Sequence, residues 1–238
     1  MTRRVTSSEH PRALAVTWDF GQTLADLDPV FLATKLAAQG VSADPDALDA
    51  AVPDAWREYN RAVRGGAGGH PWKTFMRAVL QGAGVPAAPM DALLDFLWTD
   101  QPRKNLWRRP VPGMIDLVRS LAAAGVPQGV VSNSEGRLAE LAEELGWSAP
   151  FLAIADSGKL GIEKPSRAIF EWCAERLDVP LHAVVHIGDA HAVDVDGAVA
   201  AGMRAIWFRG EKGVDPRPEV AACETAEEVR AALAAWGI

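Results

Sequence analysis

Five polar residues stand where an α/β chain would carry its chemistry. Asp19 follows the apolar run Ala13–Trp18, Ser132 follows Gly129–Val131, and Asp189 follows Ala183–Ile187 and one glycine. In open parallel sheets, ligands bind outside the carboxyl ends of the strands, so three such endings point to one crevice. Lys164 precedes Pro165. Proline disfavours the helical conformation for the residue before it and is comfortable as the first helical residue. Lys164 is therefore expected at the mouth of a helix, where its charge opposes the helix dipole. A bound anion or nearby carboxylates would relieve that conflict. Asp194 is expected in the first turn of the helix after Asp189. Asp19, Asp189 and Asp194 then form a set of carboxylates able to surround one hard cation. Mg²⁺ suits such a set, because it takes few carboxylates and completes its shell with water and substrate phosphate. Plainer explanations exist for two of these residues: a solvated lysine before a helix, and an aspartate placed by the dipole alone.

The elements that must hold these residues can be read from the pattern. The runs Ala13–Trp18, Gly129–Val131, Ala183–Ile187 and Ala205–Phe208 are short, apolar and almost without polar alternation, which predicts strands buried on both faces. Helical spacing lies between them. Met114, Leu117, Val118 and Leu121 form one stripe that stops at Gly125. Leu138, Leu141, Ala142 and Leu145 form a second that stops at Gly146, with Ser134 as its expected cap. Ile169, Phe170, Cys173 and Leu177 form a third, and Val195, Ala198 and Val199 a shorter fourth. This alternation predicts a Rossmann-like three-layer α/β core, with a parallel sheet between helices, in residues 1–26 and 106–238. Residues 27–105 contain no convincing strand. They predict an inserted all-helical cap, with helices over Pro29–Gln39, Pro45–Arg64, Pro71–Gly82 and Pro89–Thr99. Its aromatic residues Trp56, Tyr59, Trp72, Phe75, Phe96 and Trp98 are expected to form its own core rather than a stacking box for substrate. Gly65–Gly69 lacks the Lys-Ser/Thr of a phosphate loop and is read as a helix–helix connection.

Composition narrows the function classes. The 238 residues are 49% hydrophobic and 23% charged, ordinary values for a globular protein. A net charge of −7 without a basic stripe argues against nucleic acid or an anionic membrane as partner. No run approaches the roughly 20 apolar residues that cross a bilayer, and no signal segment is recognised at the N-terminus, so a cytoplasmic location is expected. Cys173 and Cys223 have no metal-type or redox spacing and read as buried thiols.

Taken in order, these residues resemble the haloacid dehalogenase (HAD) superfamily. Asp19-Phe20-Gly21-Gln22-Thr23-Leu24 is similar to its first motif, Ser132-Asn133 to its second and Lys164-Pro165 to its third. Gly188-Asp189 through Asp194 is similar to its fourth. The segments PGMIDLVRSLAAAGVPQGVVSNS and HIGDAHAVDVDGAVAAGMRAIW extend the resemblance beyond the motifs. The resemblance implies a hydrolase acting on a small phosphorylated metabolite. Asp19 would be the nucleophile that forms an aspartyl-phosphate. Mg²⁺ would be held by Asp19, the Gly21 carbonyl and Asp189, with Asp194 beside them. Ser132 and Asn133 would bind phosphoryl oxygens, and Lys164 would pair with both nucleophile and phosphoryl group. The helical insert would set the substrate, and its opening and closing would exclude water.

One departure matters. Phosphatases of this family carry a second aspartate, the general acid and base, two residues after the nucleophile. Here that position is Gly21. The backbone carbonyl survives, but the acid does not, and such a group is worth about 10²–10⁴-fold in rate. Gln22 cannot ionise. His191 and His70 are the nearest substitutes in kind, although His191 reads more simply as a surface residue at a helix start and His186 as a satisfied core histidine. Two other functions are compatible with these residues. One is a phosphate- or metal-binding regulatory module with little turnover. The other is a hydrolase splitting a carbon–halogen or carbon–phosphorus bond. The Gly188-Asp189 pair argues against dehalogenation, and the insert shows no lysine placed as phosphonate enzymes require.

Overall fold

A computed structural model describes residues 14–64 and 72–238 of the chain. Ala13, Gly65–Gly69 and His70 lie outside the described residues. The chain divides into two compact units. One comprises Met1–Asp26 and Pro110–Ile238, and the other Leu27–Arg109.

In chain order the strands are β1 (Ala15–Trp18), β2 (Ala25–Leu27), β3 (Trp107–Pro110), β4 (Gln128–Ser132), β5 (Ala153–Asp156), β6 (Val184–Gly188), β7 (Arg204–Phe208) and β8 (Val220–Cys223). Six of them form a sheet in the order β5-β4-β1-β6-β7-β8, and every pairing is parallel. The chain runs from central β1 out to β5 and returns to the other side of β1 at β6. The topological switch therefore falls around β1, where the carboxyl ends of β4, β1 and β6 flank one crevice. Buried residues line these strands from end to end, as expected of strands covered on both faces.

The helices of this unit are α5 (Met114–Ala123), α6 (Leu138–Glu144), α7 (Ser157–Leu160), α8 (Arg167–Arg176), α9 (Asp196–Ala200) and α10 (Ala226–Ala235), numbered after the four helices of the other unit. On one face of the sheet, Ile169, Phe170, Cys173 and Leu177 pack with Ala15, Val131, Ala155 and Val184. The α8 stripe is thus buried as its spacing predicts. Helices α5 and α10 meet each other, and α10 lies on β7 and β8. The Rossmann-like three-layer α/β core is observed.

Three local expectations need correction. Pro165 does not open α8. The helix starts at Arg167 with Ser166 extended before it, so Lys164 sits in the preceding loop rather than at the helix mouth. Ser134 does not cap α6, which begins at Leu138. Its first amide donates to the Asp156 carboxylate from the end of β5, 2.8 Å away. Strands β2, β3, β5 and β8 were not anticipated. Each has only three or four residues, and β5 and β8 are alanine-rich, with little β preference to mark them.

The second unit contains α1 (Pro29–Ala37), α2 (Pro45–Arg64), α3 (Trp72–Gly82) and α4 (Met90–Asp100). Asp28 caps α1 by accepting from the Phe31 amide, with Pro29 at the first helical position. Trp56 and Phe75 pack with ring centroids 4.3 Å apart, and Trp72 and Phe75 are each 1% exposed. Trp98, although 39% exposed, packs on Trp72. Trp72 and Phe75 thus lie in the interior of a helical unit, with Trp98 at its edge.

Candidate active site

Asp19 is the first residue past β1, and its amide donates to the Ile187 carbonyl of β6 at 2.7 Å. This bond ties the ends of the two central strands together. Asp189 follows β6 directly, and Asp194 lies in a π-helical turn, His191–Val195, that leads into α9. Carboxylate oxygens of Asp19, Asp189 and Asp194 all lie within 4.8 Å of one another. The turn brings Asp194 back against Gly188, where a Cβ would lie 2.3 Å from the Asp194 carboxyl carbon. Only glycine permits that approach.

Lys164 is 3% exposed, and its Nζ donates to Asp19 and to Asp194, each at 2.6 Å. Asp194 is satisfied on both oxygens, because Oδ2 accepts from the Ala190 amide at 2.9 Å. His186 Nε2 lies 3.3 Å from Asp194 Oδ1, and Thr17 Oγ1 lies 3.0 Å from His186 Nδ1. Lys164, which lies before the helix rather than at its mouth, thus has its charge balanced by two carboxylates. His186 is a buried, bonded histidine packed edge-on against Phe170.

The electrostatics follow from burial and crowding. Burial drives the Asp19 carboxyl upward against the opposing pull of Lys164. Burial, followed by the charges of Asp19 and Asp194, pushes Asp189 well up. At Asp194 burial acts in the same sense, but Lys164 and His186 outweigh it and hold the carboxylate below its usual range. Lys164 is raised despite burial, by Asp19 and Asp194. Burial lowers His186, favouring neutral imidazole. With all three carboxylates ionised, the single ammonium leaves an excess of two negative charges in a sheltered site. Hard oxygen donors with that excess fit a divalent cation such as Mg²⁺.

The remaining predicted residues lie at the end of β4, which pairs with β1, and on the turn after β1. Ser132 ends β4 and is 4% exposed. The Asn133 side chain is turned to Lys164 in a reciprocal pair. Its amide donates to the Lys164 carbonyl at 3.0 Å, and its carbonyl accepts from the Lys164 amide at 2.8 Å. Gly21 belongs to the turn between β1 and β2, where Gln22 has φ +60°. Arg209 grips Asp26 at 2.7 and 3.0 Å and reaches the Gln22 carbonyl at 3.3 Å, fixing this turn. The Gln22 Nε2 and Thr23 Oγ1 atoms are buried there without a protein partner. His191 is tied elsewhere, with Nε2 2.9 Å from Asp215 and its ring against Trp207. Arg217 pairs with both Asp215 and Asp196, so the group His191, Asp196 and Asp215 already holds its cation.

Sequence reasoning missed three supports. Asp156 accepts from the Gly136, Leu138 and Gly158 amides and so shapes the loop that carries Ser132 and Asn133. Trp207 Nε1 donates to the Asp189 carbonyl at 2.9 Å. Thr17 supports His186. Its signal was a polar residue inside an otherwise apolar strand.

Comparison with known proteins agrees with this fold. The family model described as haloacid dehalogenase-like hydrolase matches residues 13–202. The chain is 28% identical over 211 residues to haloacid dehalogenase-like hydrolase domain-containing protein 3 of Bos taurus, covering 84% of each chain. It is 29% identical over 226 residues to a ribulose-1,5-bisphosphate 5-phosphatase of Halopiger xanaduensis, covering 90% of each. In fold it resembles the HAD-hydrolase YfnB of Bacillus subtilis bound to magnesium. The TM-score is 0.71 at 20% identity, over 94% of this chain and 99% of that one. With a parallel sheet whose central strand ends in a carboxylate that Lys164 ties to Asp194, and a family match over most of its length, the chain belongs to the haloacid dehalogenase-like hydrolases.

Proposed function

We propose that this hydrolase is a Mg²⁺-dependent phosphatase acting on a small phosphorylated metabolite, with Asp19 as nucleophile. One observation carries the reading. Asp19 lies at the end of the central strand, bonded to a buried lysine and crowded by two further carboxylates whose charge is only partly balanced. Phosphatases among its relatives, including the ribulose-1,5-bisphosphate enzyme and a glyceraldehyde 3-phosphate phosphatase of Methanopyrus kandleri, support the substrate class.

In this reading Asp19, Asp189, Asp194 and the Gly21 carbonyl would hold the ion. When bound, Mg²⁺ offsets the repulsion between the Asp19 carboxylate and the phosphoryl group. Lys164 orients Asp19 and supplies positive charge to the phosphoryl oxygens, while Ser132 donates its hydroxyl to one of them. Asn133 acts through Lys164, whose backbone it clamps on both sides. An Asp19 oxygen attacks phosphorus, the ester P–O bond breaks, and the electron pair leaves with the alcohol oxygen. Water then attacks phosphorus in the aspartyl-phosphate, releasing phosphate and restoring the carboxylate. Gly21 offers no side chain to protonate the leaving oxygen or to activate that water. The first step should therefore favour substrates with good leaving groups.

Phosphate release from p-nitrophenyl phosphate tests the proposal. Release is expected with Mg²⁺, and is expected to be abolished by EDTA and by Asp19→Asn. Release that survives Asp19→Asn would overturn it. Gly21 also favours a second reading, a module that binds phosphate and metal with little turnover. Mg²⁺ and phosphate binding without any release would support that reading instead.

A further inference from the structure

Beneath the carboxylates lies a second polar layer. Thr17 on β1 and His186 on β6 are register partners in adjacent parallel strands, and both are 0% exposed. Side chains two apart in a strand share a face, so Thr17 lies on the face of β1 toward which Asp19 continues. Each hydrogen bond in this layer has only one allowed direction. A carboxylate only accepts, so the contact between His186 Nε2 and Asp194 Oδ1 requires the proton on Nε2. Lys164 already supplies the cation at Asp194, and a second buried cation on the ring would be costly. A neutral imidazole with its proton on Nε2 has a bare Nδ1, which must accept. The Thr17 hydroxyl is the donor, at 3.0 Å.

We propose that Thr17 and His186 are positioning residues for the reaction. The chain of bonds from Thr17 hydroxyl to His186 Nδ1, and from His186 Nε2 to Asp194, aims Asp194 at Lys164. It also keeps the excess negative charge of the cluster available to a divalent cation. The inference rests on reading the cluster as a metal-dependent hydrolytic site. It explains why polar groups occupy the interior of two central strands, where apolar residues would otherwise be expected. Partners behind metal ligands fix ligand orientation, and their loss typically costs about 10–100-fold in metal affinity.

Two measurements that need no turnover test it. In metal-free protein labelled with ¹⁵N-histidine, long-range ¹H–¹⁵N correlation should show a proton on His186 Nε2, facing Asp194. A ring with its proton on Nδ1 and a bare Nε2 would overturn the proposal. Calorimetric titration with Mg²⁺ should then show affinity weakened about 10-fold or more by His186→Leu and by Thr17→Val. His186→Gln, which places an amide donor near the Nε2 position, should recover much of the loss. A role in packing alone predicts equal affinity for the Leu and Gln variants, and that result would also overturn it. Thermal unfolding of each variant confirms a folded protein. If Mg²⁺ binds and the tautomer is as stated, but p-nitrophenyl phosphate is untouched, the phosphatase reading fails and the positioning layer stands.

Discussion

At the scale of residues, the site is a problem in charge. Asp19, Asp189 and Asp194 are held together by one lysine, and the glycine at 188 is what lets Asp194 approach. Asp19 and Asp189 were legible because they follow apolar strand runs, whereas Lys164 was expected at a helix mouth and lies in the loop before α8. Thr17, His186 and Asp156 were less so, since their roles depend on partners as far as 169 residues away. The Asn133 side chain, expected on the phosphoryl group, is turned to the Lys164 backbone. The gap at Gly21 yields a direct prediction. Gly21→Asp restores a carboxyl two residues after the nucleophile. Hydrolysis of alkyl phosphates should rise by about 10²–10⁴-fold, the usual value of a general acid, while p-nitrophenyl phosphate should change much less. Steady-state rates on paired aryl and alkyl esters measure this. Equal effects on both would mean that leaving-group protonation is not what the site lacks.

At the scale of elements, the helical stripes and the four apolar strands β1, β4, β6 and β7 were legible, whereas β2, β3, β5 and β8 were not. α2 was expected over Pro45–Arg64 and is observed there, whereas β5 and β8 are four-residue runs whose pairing gives them their identity. Helix α6 shows why local capping rules fall short. Its expected cap, Ser134, is displaced by Asp156 from another strand, which collects three backbone amides. Asp156→Ala leaves the Gly136 and Leu138 amides without their acceptor, while the Gly158 amide keeps the Ser134 carbonyl at 3.0 Å. It should destabilise the protein by about 1–3 kcal/mol and speed hydrogen exchange at Gly136 and Leu138. Unchanged exchange at these amides would show that the loop holds itself.

The loop after β7 offers a pH test. Hydrogen bonds from Arg217 hold the Asp215 carboxyl below its ordinary range against the opposing effect of burial. A carboxyl lowered in the folded state adds stability above its unfolded value, near 3.8, and loses it as pH falls toward the folded value. Arg217→Ala should therefore be less stable than the parent at pH 6, with the deficit shrinking as pH falls from 4 toward 2. Urea unfolding across that range measures it. A deficit that stays constant with pH would assign the Arg217 contribution to packing.

At the scale of the molecule, the strand–helix alternation and the helical insert could be read because each depends on patterns that are local in sequence. The order of strands could not, because it depends on which short runs pair. Among the described residues no helix is long and apolar enough to cross a membrane. The fold positions its chemistry at the topological switch, where Asp19 stands between β4 and β6 at the end of β1. On the proposed mechanism Asp19 becomes covalently phosphorylated during turnover. Acid quenching within the first turnover of p-nitrophenyl phosphate with Mg²⁺, followed by mass spectrometry of the Asp19 peptide, detects this species. One phosphoryl group on Asp19 is expected, absent with EDTA and absent in Asp19→Asn. Phosphate release with an unmodified Asp19 at every quench time, together with activity retained in Asp19→Asn, would contradict it.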